Sequence, residues 1–186
     1  MRNIAVISVP ILMFLDYYLT LSGKKLHDKV FSQHFANEEY ELNPGWQKDI
    51  NKFRLFNYKH ILFVILVTVY FYFTEKLTGE ELFFFFYGII TGVYVYLIMK
   101  HLQNILIFNY ANKNPHLFNG NVSISHLFGL KMAQYSALTT ASFTFFLFFF
   151  TDSVFILGNT AGLILLWLNH NAWIVRYKKK MIKAVS

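Results

Sequence analysis

The stretch that decides the fold lies at residues 82–99 and reads LFFFFYGIITGVYVYLIM. It contains no charged side chain, and a helix of roughly 20 apolar residues is long enough to cross a bilayer. Four more apolar stretches lie on either side of it, at about 4–21, 58–74, 124–150 and 154–175. Together they predict five membrane-spanning helices.

The composition of the whole chain agrees with a membrane protein. Of 186 residues, 55% are hydrophobic and only 15% are charged, whereas soluble domains carry about 25% charged residues. A water-soluble enzyme, a disordered chain and a collagen-like chain are therefore poor fits. We expect an all-α integral membrane bundle, formed by one membrane domain over residues 1–186. The absence of cysteine excludes disulfides, thiolate nucleophiles and cysteine-bound zinc.

The positions of the basic residues predict the orientation of the chain. Fourteen of the 17 Lys and Arg residues fall on one side of a five-span topology, in segments 22–59, 100–123 and 176–183. Because cytoplasmic loops are enriched in Lys and Arg, the N-terminus is predicted outside and the C-terminus in the cytoplasm. We expect a multi-pass protein of the cell membrane, of the prokaryotic inner-membrane kind. Its basic face would attract anionic lipid or a soluble protein partner, and no nucleic acid is expected.

The segment 22–57 is predicted to lie at the cytoplasmic interface, with one or two helices. Asn43-Pro44 is typical of a helix start, because Asn caps helices and Pro is favoured in their first turn. The helix is predicted to run into the second span. Its apolar face would carry Trp46, Ile50, Phe53 and Asn57, and its solvent face Lys48, Asp49 and Lys52. A weaker helix is predicted over residues 25–36.

Polar side chains are predicted to gather near the cytoplasmic ends of the spans. The candidates from the spans themselves are Asp16, Thr20, Lys59, His60, His101, His126, Lys131, Gln134 and His170. An ionisable residue within a span costs about 2.5–3.5 kcal/mol on insertion scales, so it normally faces a cavity or a partner. This end of the bundle is therefore the candidate site.

Two interpretations remain open for the charged pair Asp16 and Lys131. The residues lie at matching depths if the first and fourth spans adjoin. They could bind a proton, an ion or an anionic head group, or they could form a structural ion pair. No two histidines show the i, i+4 spacing of a helical metal motif, so neither a metal nor a cofactor is predicted. His27 and His34, with Glu38, Glu39 and Glu41, form a second cluster for which a solvated loop is the favoured interpretation.

Two glycine pairs are predicted to bring helices close together. Gly88 and Gly92 lie in the third span, and Gly158 and Gly162 lie in the fifth. Glycines four residues apart permit close contact between helices in lipid. Packing is expected either within one subunit or between subunits of a homo-oligomer.

The first 60 residues contain two short motifs that resemble a known group. Asp16-Tyr-Tyr-Leu-Thr20 is followed by Glu41-Leu-Asn-Pro44 and by Lys59 at the start of the next span. This order resembles small uncharacterised prokaryotic multi-span membrane proteins, in which Asp-x-x-x-Thr precedes Glu-x-Asn-Pro. The gap between the motifs is longer here. The resemblance implies no activity, but it implies that Asp16, Glu41 and Asn43 belong to one site at the cytoplasmic interface.

Three functional classes follow from these features. The leading expectation is a small channel-like or transporter-like protein, acting as an oligomer, with Asp16 and Lys131 in its polar site. The alternatives are an intramembrane enzyme that acts on lipid or a membrane-embedded substrate, and a non-catalytic subunit that docks a soluble protein. No phosphate loop, nucleophile elbow or dinucleotide fingerprint occurs, so a non-enzyme is favoured.

Overall fold

The computed structural model describes residues 2–37, 40–117 and 119–185, and these are almost entirely helical. The helices are α1 (Arg2–Leu26), α2 (Ser32–His34), α3 (Gln47–Asn51), α4 (Tyr58–Leu77), α5 (Glu80–Lys113), α6 (His126–Thr151) and α7 (Val154–Val185). The remaining elements are a π-helical segment at His27–Phe31, a 3₁₀ turn at Pro115–Leu117, and strands β1 (Phe35–Asn37) and β2 (Val122–Ile124). The predicted all-α class is confirmed, with one short strand pair as a local departure.

Three helices among the described residues are long and apolar enough to cross a membrane. They cover Asn3–Lys29, Tyr58–Leu77 and Glu80–Lys113, and they contain the predicted spans at 4–21, 58–74 and 82–99. Helix α5 has 34 residues and is about 50 Å long, so it exceeds the roughly 30 Å hydrocarbon layer. The predicted spans at 124–150 and 154–175 are helical, as α6 and α7, but neither helix is among those three, so the total of five spans stays a prediction.

The chain forms two compact units. Unit 1 consists of residues 1–77 and 94–125, and unit 2 consists of residues 78–93 and 126–186. The sequence predicts a single membrane domain and contains no linker at these boundaries, because α5 continues from one unit into the other without a break.

In unit 1, α1 packs against α4 along a stripe of residues four apart. The buried side chains of α1 are Ala5, Val9, Met13, Tyr17, Thr20 and Leu21. The opposite faces of both helices are also apolar but exposed. Ile4, Ile7 and Ile11 on α1 are exposed by 59–71%. Helices that are hydrophobic all round are typical of a membrane span, in which lipid covers the outer face.

The chain leaves α1 through a widened helical turn, which replaces the separate helix predicted over residues 25–36. The π-helical segment follows α1 directly and leads through α2 into β1, which pairs in parallel with β2. Asn112 of α5 bridges this turn: its Nδ2 donates to the carbonyl of Leu26 (2.9 Å), and its Oδ1 accepts from the amide of Phe31 (3.3 Å). One amide side chain therefore bonds two main-chain groups of the widened turn.

The helix predicted to begin at Asn43 begins instead at Gln47, and it does not reach the second span; Asn43 starts the turn that precedes it. The Asn43 carbonyl accepts hydrogen bonds from the amides of Trp46 and Gln47, and its Oδ1 accepts from Gly45. Helix α3 then ends at Asn51, because Phe53 adopts a left-handed backbone conformation with φ of 49°. The predicted continuation into α4 is wrong.

The reversal after α3 exchanges the predicted surroundings of Asp49 and Phe53, while Ile50 of the predicted apolar face is buried as expected. Asp49, predicted on the solvent face, is buried and accepts a hydrogen bond from Nη1 of Arg54 (2.8 Å). Phe53, predicted on the apolar face, is exposed, whereas Ile50 packs with Tyr17 and Leu21. The reason is that the turn brings Arg54 back to Asp49, so the carboxylate is paired instead of solvated.

Unit 2 is built on an antiparallel pair of helices, α6 and α7. The turn between them places Asp152 at a φ of 51°, a conformation that Asp tolerates better than most residues. Thr160 donates to Thr144 near this turn (2.9 Å), and the rings of His126 and Tyr177 meet at the other end (5.0 Å). The buried face of α6 consists of His126, Leu130, Gln134, Ala137 and Ala141.

The two glycine pairs pack against each other within unit 2. A Cβ atom added at Gly88 would meet the backbone of Phe155 and lie 3.0 Å from the Cα of Gly158. A Cβ atom added at Gly162 would meet the backbone of Ile89. Helices α5 and α7 therefore approach so closely that backbone contacts backbone, as the small-residue spacing predicts.

Candidate functional site

A polar cluster between the apolar helices α1 and α5 of unit 1 is centred on Asp16. Asp16 and Thr20 are four residues apart on α1 and therefore share a face. His101 of α5 reaches both: its Nε2 lies 3.0 Å from the Thr20 hydroxyl and 3.2 Å from Oδ1 of Asp16. The structure thus brings together three of the residues that the sequence selects.

The hydrogen bonds of this cluster favour one tautomer of His101. The Thr20 hydroxyl donates to the main-chain carbonyl of Asp16 (2.8 Å), so its oxygen faces His101 as an acceptor. Nε2 of His101 therefore carries a hydrogen, with the Asp16 carboxylate beside it. The other ring nitrogen, Nδ1, is buried and has no hydrogen-bond partner among the described residues. With the hydrogen on Nε2, this nitrogen keeps its lone pair, and the Asp16 carboxylate lies on the opposite side of the ring.

Glu41 belongs to the same cluster, although it lies in the loop before α3. Its Oε1 accepts a hydrogen bond from the amide of Asn43 (2.7 Å), and Nε2 of Gln47 donates to its carbonyl (3.0 Å). The pKa of Glu41 is raised from its ordinary value of 4.5 to about 7, because burial, with a smaller effect of the negative charge of Asp16, outweighs the opposing effects of the Asn43 bond and His101. Glu41 can therefore exchange a proton near neutral pH.

This shift predicts a pH-dependent difference between the wild type and a Glu41→Gln variant. The folded pKa lies above the unfolded value, so Glu41 stabilises the fold fully below pH 4.5, and that contribution is lost as the pH rises towards 7. Glutamine mimics the protonated form at every pH. The variant should therefore gain about 1–3 kcal/mol relative to the wild type between pH 4.5 and 7.5.

Thermal unfolding of both proteins in detergent, followed by tryptophan fluorescence, measures this difference. A gain of that size means that, at the higher pH, the unfolding midpoint of the variant should lie several degrees above that of the wild type. A midpoint difference that stays constant across this pH range would contradict the prediction.

His60 lies next to this cluster in a cage of aromatic rings. Its imidazole stacks on Tyr17 (centroids 4.5 Å apart, 19° between planes) and meets the edges of Phe14 and Trp46. The residue is 6% exposed, and its Nε2 has no hydrogen-bond partner among the described residues. His60 also interacts electrostatically with Asp16. The aromatic cage therefore keeps the His60 imidazole within electrostatic reach of the Asp16 carboxylate.

Neighbouring residues that sequence reasoning did not select complete the cluster. Tyr94 lies seven residues before His101, on the same face of α5, and interacts electrostatically with Asp16. The i, i+7 spacing of Tyr94 and His101 is the signal that could have found it. Asn57 caps α4 by accepting hydrogen bonds from the amides of Lys59 and His60, and the Tyr17 hydroxyl donates to the carbonyl of Arg54. These contacts hold the start of α4 against α1.

The candidates in unit 2 form a different arrangement. Nζ of Lys131 donates to Oε1 of Gln134 (2.8 Å), and Nε2 of Gln134 donates to Oδ1 of Asn171 (3.3 Å). His126 lies against Tyr177, and His170 lies against Trp173. The polar residues of α6 and α7 are therefore linked by amide groups rather than by charge pairs.

The remaining predicted residues have simpler surroundings. Lys59 is exposed at the start of α4. His27 is buried among the rings of Phe31, Tyr40 and Phe108, and Nδ1 of His34 lies 3.2 Å from the carbonyl of Gly120. Glu38 and Glu39 lie outside the described residues.

The predicted pairing of Asp16 with Lys131 joins residues of different units and stays a prediction. Within unit 1, Oδ1 of Asp16 lies 3.2 Å from Nε2 of His101. Within unit 2, Lys131 has Gln134 as its hydrogen-bond partner.

Over the described ranges, no three His, Asp or Glu residues group closely enough to hold a metal ion. Comparison with protein-family models, with curated proteins and with solved structures gave no match to this chain.

Proposed function

We propose that this chain is a channel-like or transporter-like membrane protein that moves protons through the cluster of Asp16, Thr20, His101 and Glu41. The observation that carries the proposal is the position of His101. Its Nε2 lies between a hydroxyl and a carboxylate, while its Nδ1 is buried without a described partner. Chains of carboxyl and imidazole groups within membrane helices are typical of proton relays.

Glu41 supports a proton as the transported species. A carboxyl group with a pKa of about 7 is partly protonated under physiological conditions, so it can both take and release a proton. It interacts electrostatically with His101 and Asp16, which lie on two different helices. A proton taken up at the loop would therefore have acceptors on α5 and α1.

The proposal includes five membrane spans, with the N-terminus outside and the C-terminus in the cytoplasm of the cell. The exposed apolar faces of α1 and α4 support contact with lipid. The distribution of Lys and Arg supports the orientation. The polar cluster then lies towards the cytoplasmic side of unit 1, and homo-oligomers remain part of the proposal.

Liposomes reconstituted with the purified protein and filled with a pH-sensitive dye test this function. With the membrane potential clamped by potassium and valinomycin, an acid pulse outside should acidify the lumen faster than in protein-free liposomes. Equal rates over external pH values from 5.5 to 8 would overturn the proposal. In that case the titratable cluster would fit the intramembrane-enzyme alternative better.

A further inference from the structure

Lys131 carries a charge for which unit 2 offers no nearby carboxylate. The acidic residues of this unit are Glu80, Glu81 and Asp152. Asp152 lies 21 residues further along the chain, at the far end of α6, which corresponds to about 30 Å. Glu80 and Glu81 line a shallow cleft with Ser153, next to that same turn. All three acidic groups are thus at the opposite end of the helix pair.

The side chains around Lys131 leave hydrogen-bond donors free for an anion. Lys131 is half-buried, one of its three ammonium hydrogens is used by Gln134, and its Nζ lies 5.5 Å from the centroid of the Tyr135 ring. Gln134 is 3% exposed, and its Nε2 donates to Oδ1 of Asn171. The amide hydrogens of Asn171 therefore point away from that bond. Asn171 itself is exposed. The arrangement presents an ammonium and an amide donor on adjacent helices, with a buried glutamine fixing both.

In the proposed membrane placement, this arrangement would lie near the level of the lipid phosphates. The basic end of the helix pair is marked by the contact between His126 and Tyr177, and exposed Arg176 and Lys178–Lys180 surround it. Lys131 lies five residues inside that end, about 7 Å along the axis, a distance that a lysine side chain can bridge towards the interface.

We propose that Lys131, Gln134 and Asn171 form a binding site for the phosphate group of an anionic phospholipid. The inference rests on the membrane placement in the proposed function but not on its proton pathway. The lipid phosphate would neutralise Lys131 and accept from the Asn171 amide. Gln134 is a positioning residue, because it bonds both Lys131 and Asn171 and so fixes the two donors relative to each other.

Native mass spectrometry of the purified protein in a non-ionic detergent tests the site. Titration with phosphatidylglycerol should show one tightly retained lipid. Lys131→Gln removes a charge-assisted hydrogen bond to the lipid phosphate, so the affinity for phosphatidylglycerol should fall roughly tenfold to a hundredfold. Lys131→Arg keeps the charge and should stay within a few-fold of the wild type. Lys178→Gln is the matched control, because it removes an exposed cation at the same end and should cost about fivefold at most.

Several outcomes would overturn the assignment. The first is an equal loss of phosphatidylglycerol affinity in Lys131→Gln and Lys178→Gln. The second is retention of phosphatidylcholine as tight as that of phosphatidylglycerol. The third is displacement of the lipid by millimolar inorganic phosphate, which would indicate a site for the free ion. An Asp16→Asn variant that binds phosphatidylglycerol tenfold more tightly would also overturn it, because Asp16 would then be the counter-ion of Lys131. A failure of proton transport alone leaves all of these readouts unchanged.

Discussion

An Asp16→Asn variant is expected to lower the proton flux of reconstituted liposomes about a hundredfold, to the level of protein-free liposomes. Asparagine has nearly the same shape as aspartate but can neither bind a proton nor stabilise an imidazolium. The contact at 3.2 Å between Asp16 and His101 would lose its charge, although the main-chain bond between Thr20 and Asp16 would remain. The loss should therefore appear in flux and leave the helical content unchanged.

Two matched variants separate a role in proton transfer from a role in folding. Asp28→Asn removes a more exposed carboxylate of unit 1 that is paired with Lys24, and it should leave the flux unchanged. Asp16→Glu keeps a titratable carboxyl and should retain measurable flux. If Asp16→Asn keeps more than half of the wild-type flux, Asp16 is not part of the pathway.

Gly88→Ala or Gly158→Ala is expected to destabilise unit 2 by about 3 kcal/mol, the upper end of the range for overpacking. The added methyl group would lie against backbone atoms: at Gly88 it would meet Phe155 and Asn159, and at Gly158 it would meet Phe85. Backbone cannot turn away as a flexible side chain can, so α5 and α7 would have to separate. The midpoint of thermal unfolding should fall by about 6–12 °C.

Gly79→Ala is the matched control, because a Cβ atom at Gly79 would have no neighbour within 4 Å. Its unfolding midpoint should stay within about 2 °C of the wild type. In the double variant of Gly88 and Gly158, the second substitution should cost less than the first, since helices that have already separated can accept another methyl group. Fully additive losses, or a Gly79→Ala loss equal to that of Gly88→Ala, would contradict close packing as the cause.

The long helices were predictable because their signals are local. Apolar stretches of sufficient length predict α1, α4 and α5 within the membrane class, and Asn43 predicts the start of the turn before α3. The glycine spacing predicted close helix contact. Each of these features depends on residues a few positions apart, so the printed sequence contains the information.

The interface segment was predicted less well because its structure depends on distant partners. Asp49 is buried since the chain reverses at Phe53 and returns Arg54 to it. The widened turn after α1 contains main-chain groups that bond to Asn112, 86 positions after Leu26. A helical pattern over residues 25–36 or 43–57 carries no trace of either contact.

The sequence by itself determined the helical content, the long apolar stretches that are compatible with a membrane protein, and the list of polar residues that an apolar helix must accommodate, because hydropathy and spacing are local properties. Only the tertiary structure decided how those residues group. It placed His101 beside Asp16 and Thr20, brought Glu41 into their electrostatic reach, and linked Lys131 to Asn171 through Gln134. The physical reason is that the face each helix presents to its neighbours depends on packing across the unit. A single helix in an apolar chain has little amphipathic pattern to reveal that face.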